Sequence, residues 1–474
     1  MQHDTASAPT PARVLDPRAV RDELTPHVAG PVLLPGDDAY DDERAGFNLA
    51  VRHRPDVIVG ATRAADVQAA VRFAAGHGLP VAVQATGHGF AVPADGGLLI
   101  TTARMSGVEV DPGARTATVA AGARFDQVVP AAAAHGLAPL NGSAPHVGVV
   151  SYVLGGGIGL LVRTHGYAAD QVRAMDVVTA DGTLRHVTPH TEPDLYWALL
   201  GGRDNFGVVT SLEMGLVPVT RLYGGGLFYD AEAVPDLLER YLRWTATVPD
   251  TMNSSVALIP MPDAPDVPAP MRGRHVYHVR IAFTGAAADG ERLVAPLREM
   301  GPVLAALRDM PYTENASIHE EPPVAVPFLR EVALFDELGA DALRTILDHA
   351  GPTAPLPVVV ELRHLGGAFA TPPEHPNAVA HRSARYLLSV VTLLVGVGEE
   401  DARPLLKRLF EGLAPWSKGT SLNFLGHGEN ASADRLRAAY APADLERLVR
   451  LKETYDPQNL FRLNYNIAPG GWEK

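Results

Sequence analysis

The stretch Gln84-Ala85-Thr86-Gly87-His88-Gly89-Phe90 follows a short apolar run, Leu79 to Val83, that is typical of a β-strand. Glycines on both sides of the histidine allow the backbone to turn tightly and to approach a ligand closely. A second glycine-rich stretch runs from Gly142 to Gly159 and contains three consecutive glycines. Loops of this kind can point backbone N–H groups at an anion, so the pair predicts a pyrophosphate site with His88 beside the ligand.

Further motifs follow these two loops in order. They are Arg163 to Asp170, Val177 to Gly182, Asp194 to Gly202, Asn205 to Thr210, and Tyr455 to Phe461. With the glycine loops they resemble the FAD-linked oxidases of the vanillyl-alcohol-oxidase (PCMH) superfamily, in particular the berberine-bridge-enzyme-like branch. The resemblance covers residues 51–219 strongly, 426–469 clearly and the middle loosely. It is far more specific for fold and cofactor than for substrate.

The resemblance implies an α+β fold with a PCMH-type FAD-binding domain of two subdomains. A substrate domain with a large antiparallel sheet backed by helices is expected beside it, because helices and strands alternate from about 220 to 425. The predicted divisions are a tail and lead-in helix (1–50), the FAD-binding domain (51–219), the substrate domain (220–425) and a C-terminal segment returning to the FAD domain (426–474). No Gly-x-Gly-x-x-Gly opens a helix after a strand, which disfavours a Rossmann fold.

Composition narrows the range of partners. The 474-residue chain has a formal net charge of −14 and no cluster of Lys and Arg, so we expect no nucleic-acid partner. No apolar run approaches eighteen residues, so no membrane span is expected. The tail from Met1 to Arg13 lacks the apolar region of a signal peptide, and we expect a cytoplasmic protein. No histidine cluster predicts a metal, and the oligomeric state stays open.

Cysteine is absent, which excludes disulfides and thiol nucleophiles. Many berberine-bridge-like enzymes attach the flavin through one histidine and one cysteine. The cysteine belongs to a Gly-x-Cys motif that reads Gly142-Ser143-Ala144 here. The resemblance therefore implies FAD with a single 8α-histidyl bond at His88 and no cysteinyl bond. The alternative is that His88 is a solvent-facing loop residue.

The resemblance also implies which other residues contact the FAD. They are Ala85, Thr86, Gly87, Gly89, Phe90, Gly142, Gly148, Gly155, Gly156, Gly157, Gly159, Asn205, Gly207, Val209 and Tyr465. One departure from the family's pattern is that Arg203 and Asp204 replace part of a glycine run. This departure puts the local loop geometry in doubt but not the fold.

The proton acceptor is not obvious from the family's motifs. Many relatives use a tyrosine from a Tyr-x-Asn-Tyr motif, which reads Ser421-Leu422-Asn423-Phe424 here and contains no phenol. Asn423 is expected to keep a hydrogen bond to flavin or substrate. Tyr152, just before the triple glycine, lies either over the flavin or in the core.

The strand predicted over Pro357 to His364 offers a replacement. Strand alternation puts Glu361 and Arg363 on the same face, and the resemblance places that face over the flavin. We predict Glu361 as the base, with its pKa raised by burial, and Arg363 as the group that tunes it or holds a substrate anion. The alternative is a structural Glu–Arg pair at the sheet surface.

These observations predict an FAD-dependent oxidase that takes a hydride from a small organic substrate and reduces O2 to H2O2. Alcohol or carbon-acid oxidation in natural-product tailoring is favoured. Two alternatives stay open: a C–N (amine) oxidase of the 6-hydroxynicotine oxidase type, and a flavoprotein that binds a ligand without turnover.

Overall fold

Three β-sheets and thirteen α-helices make up the described part of the chain, which confirms the predicted α+β class. The computed structural model describes residues 15–427 and 432–471. The predicted tail from Met1 to Arg13 lies outside these residues.

The first sheet has four strands in the order β1-β2-β4-β3, with β2, β4 and β3 parallel. The strands are β1 (Val32–Leu33), β2 (Val57–Gly60), β3 (Val81–Gln84) and β4 (Leu98–Thr101). The helices in this part are α1 (Pro17–Leu24), α2 (Tyr40–Arg44) and α3 (Ala64–His77). The histidine loop leaves the carboxyl end of β3, because β3 ends at Gln84.

The second sheet has five antiparallel strands in the order β5-β6-β9-β7-β8. They are β5 (Val108–Asp111), β6 (Thr116–Ala120), β7 (Val172–Val178), β8 (Leu184–Val187) and β9 (Val208–Gly215). Its helices are α4 (Phe125–Ala133), α5 (Val149–Leu154), α6 (Val162–His165) and α7 (Pro193–Gly202). The two sheets are the two subdomains that the resemblance implies.

The third sheet has nine antiparallel strands, and helices cover one of its faces. The strands are β10 (Arg221–Asp230), β11 (Met252–Pro260), β12 (His275–Phe283), β13 (Leu304–Ala305), β14 (Arg308–Pro311), β15 (Phe328–Phe335), β16 (Val359–His364), β17 (Tyr386–Leu393) and β18 (Ser417–Gly419). The helices are α8 (Leu237–Thr245), α9 (Ala287–Arg298), α10 (Ala340–Ala350) and α11 (Glu399–Leu413). An apolar core joins the strands to these helices, so the polar side chains of the strands collect on the other face.

The chain ends with α12 (Ala433–Arg437) and α13 (Pro442–Tyr455), and α13 packs against α7. Beyond α13, the carboxylate of Asp456 accepts hydrogen bonds from the backbone N–H groups of Leu460 and Phe461 at 2.7 and 2.9 Å. The fully buried Lys452 donates to Asp456 at 2.6 Å and to the carbonyl of Asn205 at 2.8 Å. This ion pair fastens the C-terminal segment to the cofactor-binding part of the chain.

Replacing Lys452 with methionine leaves a buried carboxylate without its cation, which costs about 3–5 kcal/mol in proteins. We therefore expect a loss of that size in the free energy of unfolding, measured by urea denaturation. Lys407→Met is the matched control, because Lys407 forms an exposed i,i+4 pair with Glu411 on α11. Equal stability losses in the two variants would contradict the anchoring role.

Candidate active site

The histidine loop forms one wall of a cavity, called here the loop cavity. Its lining consists of residues 83–91, Ser151, Arg203, Asp204 and residues 463–465. Gly87 has φ +70°, and a Cβ there would lie 2.4 Å from the Cα of Gly46. Only glycine fits at position 87, whereas a Cβ at Gly89 would meet open space.

His88 lines the loop cavity, and only one of its two ring nitrogens has a hydrogen-bond partner among the described residues. Its Nδ1 lies 2.7 Å from the hydroxyl of Thr86, and its ring stacks on Phe47 with a centroid separation of 4.0 Å. Its Nε2 is buried and has no hydrogen-bond partner among the described residues. Burial, the nearby His146 and Arg330 lower the pKa of His88 to about 3. The ring is therefore neutral at physiological pH.

The second glycine-rich stretch lies directly against the first. A Cβ at Gly148 would be 3.3 Å from the Cβ of Ala85. A Cβ at Gly155 would collide with the amide of Asn423, and one at Gly157 would lie 2.6 Å from the ring of Tyr152. Close packing within the protein thus explains these two glycines. The flavin contacts expected of Gly142, Gly148, Gly155, Gly156, Gly157 and Gly159 stay predictions, and Gly159 also lines a second cavity described below.

Asn205 connects the cofactor domain to the C-terminal segment. Its Nδ2 donates to the carbonyls of Gly202 and Tyr465 at 2.9 and 3.0 Å, and its Oδ1 accepts from the N–H of Ile467 at 2.8 Å. Tyr465 lines the loop cavity, with its hydroxyl donating to the carbonyl of Leu425 at 2.6 Å.

Gly207 and Val209 belong to the same motif as Asn205. Gly207 has φ +153°, and a Cβ there would lie 2.6 Å from the carbonyl oxygen of Val178. Val209 is buried within β9. Neither residue lines the loop cavity, so their flavin contacts stay predictions.

A second cavity lies on the polar face of the third sheet and is called here the sheet cavity. Its lining includes Arg280, His319 and Arg363, together with Ile158 and Gly159 from the glycine-rich stretch. It therefore lies between the two parts of the molecule, where pockets are common.

Glu361 is the centre of a charge network beside the sheet cavity. Its Oε1 accepts from Arg280 Nη1 at 2.9 Å and from the hydroxyl of Ser255 at 3.1 Å. Its Oε2 accepts from Arg363 Nε at 2.9 Å, so the two side chains share a face as predicted. The side chains of Glu361 and Arg363 are only 13% and 11% exposed. The Glu–Arg pair is therefore buried in the site and not at an open sheet surface.

The expectation that Glu361 has a raised pKa is wrong. Burial does act to raise the pKa of this carboxyl. Arg363, the His319 contact and Arg280 outweigh burial and hold the pKa well below its usual range. Both oxygens of Glu361 already accept hydrogen bonds from neighbouring side chains, so these contacts do not favour Glu361 as the base.

His319 is the neighbouring group with a free nitrogen. Its Nε2 lies 3.5 Å from Glu361 Oε1, and its buried Nδ1 has no partner in the described ranges 15–427 and 432–471. Burial and Arg280 lower the pKa of His319 to about 4, although Glu361 opposes the shift. The side chain is thus a neutral imidazole at pH 7, with one nitrogen towards a carboxylate and the other unoccupied.

Tyr152 and Asn423 line neither the loop cavity nor the sheet cavity. Tyr152 belongs to the apolar core, packs edge-on against Phe125, and has a buried hydroxyl without a described partner. Burial raises its pKa further above its ordinary value, so it stays a protonated phenol. Asn423 donates to the backbone carbonyl of Tyr152 at 2.7 Å. The functional roles expected of both residues stay predictions.

Sequence analysis did not identify several residues of the site, namely Phe47, His278, Arg280, His319, Glu321 and Arg330. A signal existed for two of them. His278 and Arg280 have the same i,i+2 spacing in the apolar strand β12 as Glu361 and Arg363 in β16. Two polar residues on one face of an otherwise apolar strand, as in β12 and β16, indicate that this face borders a cavity or a partner. His319 lies just after a short 3₁₀ helix, Tyr312–Ile318, and no periodicity marks it.

The residues around the loop cavity fit an FAD. A neutral imidazole with a buried, unpartnered nitrogen lines a cavity at the glycine loop, which is where a histidyl attachment would be made. No groups of His, Asp and Glu in the described chain are placed to hold a metal ion. None of the described helices is long and apolar enough to cross a membrane.

Comparison with known proteins agrees with this geometry. Residues 55–188 match the family model of an FAD binding domain, and residues 422–468 match the model described as berberine and berberine like. The (R)-6-hydroxynicotine oxidase of Paenarthrobacter nicotinovorans is 28% identical over 471 residues, covering 94% of this chain and 100% of the relative.

Solved structures show the same architecture. The structure of 6-hydroxy-D-nicotine oxidase from Arthrobacter nicotinovorans superimposes with a TM-score of 0.78 at 25% identity, covering 93% of this chain and 98% of that one. A chitooligosaccharide oxidase structure has a TM-score of 0.82 at 22% identity, covering 95% and 99%, and this likeness concerns the fold alone.

The protein is an FAD-linked oxidoreductase of the oxidase type. It carries an FAD binding domain and a berberine-like segment, and over nearly its whole length it is similar to flavoproteins of the berberine-bridge-enzyme-like branch of the vanillyl-alcohol-oxidase/PCMH superfamily. The resemblance inferred from the motifs is thereby confirmed.

Proposed function

We propose that this protein is a monocovalent FAD oxidase that oxidises a small alcohol or carbon acid and reduces O2 to H2O2. The observation that carries the proposal is the pairing of two sites. His88, whose Nε2 is buried and unpartnered, lines the loop cavity, and a network of polar side chains borders the sheet cavity. The FAD supplies the hydride acceptor when bound. The protein supplies attachment, orientation and proton transfer.

The attachment chemistry follows from the state of His88. A nucleophile needs a free lone pair, and a pKa of about 3 keeps the imidazole neutral above that pH. The contact of Nδ1 with Thr86 leaves Nε2 as the available nitrogen. The stacked ring of Phe47 holds the imidazole plane in place. Since the chain has no cysteine, no thiol can provide a second bond.

For proton transfer, the proposed acceptor is His319 Nδ1, with Glu361 as its positioning residue. The carboxylate near Nε2 favours the tautomer that carries its proton on Nε2 and leaves Nδ1 as the acceptor. The carboxylate also stabilises the imidazolium that forms when His319 accepts the substrate proton. Arg280 and Arg363 fix the carboxylate, which completes a positioned pair.

The charge of the site favours alcohols and carbon acids over amines. The guanidinium groups of Arg280, Arg330 and Arg363 interact electrostatically with this network. A protonated amine brought beside them would be repelled, whereas a neutral hydroxyl or an acidic C–H would not. The similarity to (R)-6-hydroxynicotine oxidase supports the alternative proposal, which is oxidation of an amine. We also propose that the enzyme acts in the tailoring of natural products and that it is located in the cytoplasm.

The test is steady-state H2O2 formation by the purified protein with matched panels of aromatic and aliphatic alcohols, carbon acids and amines. We expect stoichiometric O2 uptake and H2O2 release with members of the alcohol or carbon-acid panel. Turnover confined to amines would overturn the substrate assignment. A flavin that no compound of any panel reduces under anaerobic conditions would instead indicate a ligand-binding flavoprotein.

A further inference from the structure

Arg330 differs from the other arginines of the polar face in having no acceptor. It lies on β15, and cross-strand register aligns it through Val391 of β17 with Val359 of β16. Arg330 therefore shares the face of the sheet that carries Glu361 and Arg363. Its Nε is buried without a partner, and its guanidinium forms no hydrogen bond or ion pair within the described residues.

The neighbouring arginines do not share this property. Arg280 and Arg363 both donate to Glu361, each at 2.9 Å. Arg330 is held only by aromatic contacts, with its guanidinium carbon 5.3 Å from the ring centre of Phe328 and 5.8 Å from that of Phe424. Arg363 approaches the same Phe424 ring, at 5.1 Å. The two guanidinium groups thus flank one aromatic ring.

The local charges leave one positive charge unbalanced. Three guanidinium groups, those of Arg280, Arg330 and Arg363, interact with the carboxylates of only two residues, Glu361 and Glu321. The buried histidines of the network add no charge at pH 7, because burial lowers their pKa. A guanidinium does not lose its proton to relieve the excess. Arg330 is partly buried, and holding a cation out of water without an acceptor is costly, so this charge favours an anion beside it.

The position of Arg330 indicates which anion this is. Arg330 lowers the pKa of His88 on the loop-cavity side, and its own pKa is affected by Arg363 and Glu361 on the sheet-cavity side. It therefore lies between the attachment point and the charge network, where a small substrate would have to bind. We propose that Arg330 binds a carboxylate carried by an aromatic or otherwise apolar substrate, with the Phe424 ring beside the substrate's apolar part.

This inference rests on the proposed function for the location of the substrate, but it can fail separately. Benzoate is the anionic probe, and benzamide is its neutral counterpart of the same shape. Each is titrated into the flavin-loaded protein at constant ionic strength, and binding is followed by perturbation of the flavin absorption spectrum. We expect saturable binding of benzoate and at least tenfold weaker binding of benzamide.

Variants of Arg330 test whether the preference for benzoate over benzamide depends on its guanidinium group. Arg330→Gln is expected to weaken benzoate binding roughly 10- to 100-fold, the loss expected for a charge-assisted pair, and to leave benzamide unaffected. Arg330→Lys should weaken benzoate less, because the charge stays while the planar fork is lost. Arg221→Gln is the control, since Arg221 forms an exposed pair with Asp309 far along the edge of the sheet.

Two results would overturn the proposal. One is equal affinity of the wild-type protein for benzoate and benzamide. The other is an Arg330→Gln variant with unchanged benzoate affinity and a shifted flavin reduction potential, which would show that the cation serves the cofactor. In either case H2O2 formation with neutral substrates in the wild-type protein would leave the proposed oxidase function standing.

Discussion

Replacing His88 with alanine should abolish the covalent flavin completely. The imidazole is the single attachment point in the proposal, because no cysteine is present to make a second bond. We expect acid precipitation of the wild-type protein to give a yellow pellet, and the variant to give a colourless one. The fold should persist, because His88 is partly exposed and its ring contacts only Phe47 and His146 among the aromatic residues described.

His146→Ala serves as the matched control for this variant. His146 lies in the same aromatic group, with its ring centre 5.0 Å from that of His88. Its loss removes similar packing but no attachment atom, so the pellet should stay yellow. A yellow pellet from the His88 variant would refute attachment at this residue.

Replacing His319 with glutamine should slow anaerobic reduction of the flavin by substrate roughly 10²- to 10⁴-fold, the usual worth of a general base. Glutamine keeps a polar side chain beside Glu361 but cannot accept a proton near neutral pH. Reoxidation of the reduced flavin by O2 should stay nearly unchanged, because the proton of the substrate has already been removed. Stopped-flow absorbance measures the two steps separately.

The pH profile distinguishes a base from a structural residue. The lowered pKa of His319, about 4, means that the imidazole is neutral above that pH and charged below it. The reduction rate of the wild-type enzyme should therefore fall as pH drops through about 4. Arg280 and Arg363 oppose the charged form of His319, whereas Glu361 and Glu321 favour it.

In the His319→Gln variant the fall near pH 4 should be absent. Reduction at the wild-type rate in this variant would refute His319 as the acceptor. If Glu361→Gln alone removed the pH dependence, the carboxylate would be the base after all, as the sequence had led us to expect.

The cofactor side of the site was largely predictable from sequence. The glycine loop around His88, the triple glycine and the C-terminal motif are local patterns with fixed backbone demands, such as the positive φ of Gly87. The pairing of Glu361 with Arg363 was also predictable, because strand alternation alone decides which side chains share a face. Local rules therefore suffice for features formed within one loop or one strand.

The polar residues around the sheet cavity could not be predicted from the sequence, because the register between distant strands brings them together. Ser255 of β11 lies opposite both Arg280 and Arg363, which brings β12 and β16 into one polar surface. No local pattern in either strand reveals that arrangement. Arg363, on the same strand, lowers the pKa of Glu361 most, and the further lowering by His319 and Arg280 comes from other parts of the chain and could not be predicted from the strand. The departure at Arg203 left the fold intact, and Arg203 lines the loop cavity.

The intact mass of the acid-denatured wild-type polypeptide, followed by peptide mapping, tests the central claim most directly. The account predicts the mass of the 474-residue chain plus one FAD, with the whole increment on the peptide that contains His88. The bare mass of the chain, with free FAD in the supernatant, would contradict it.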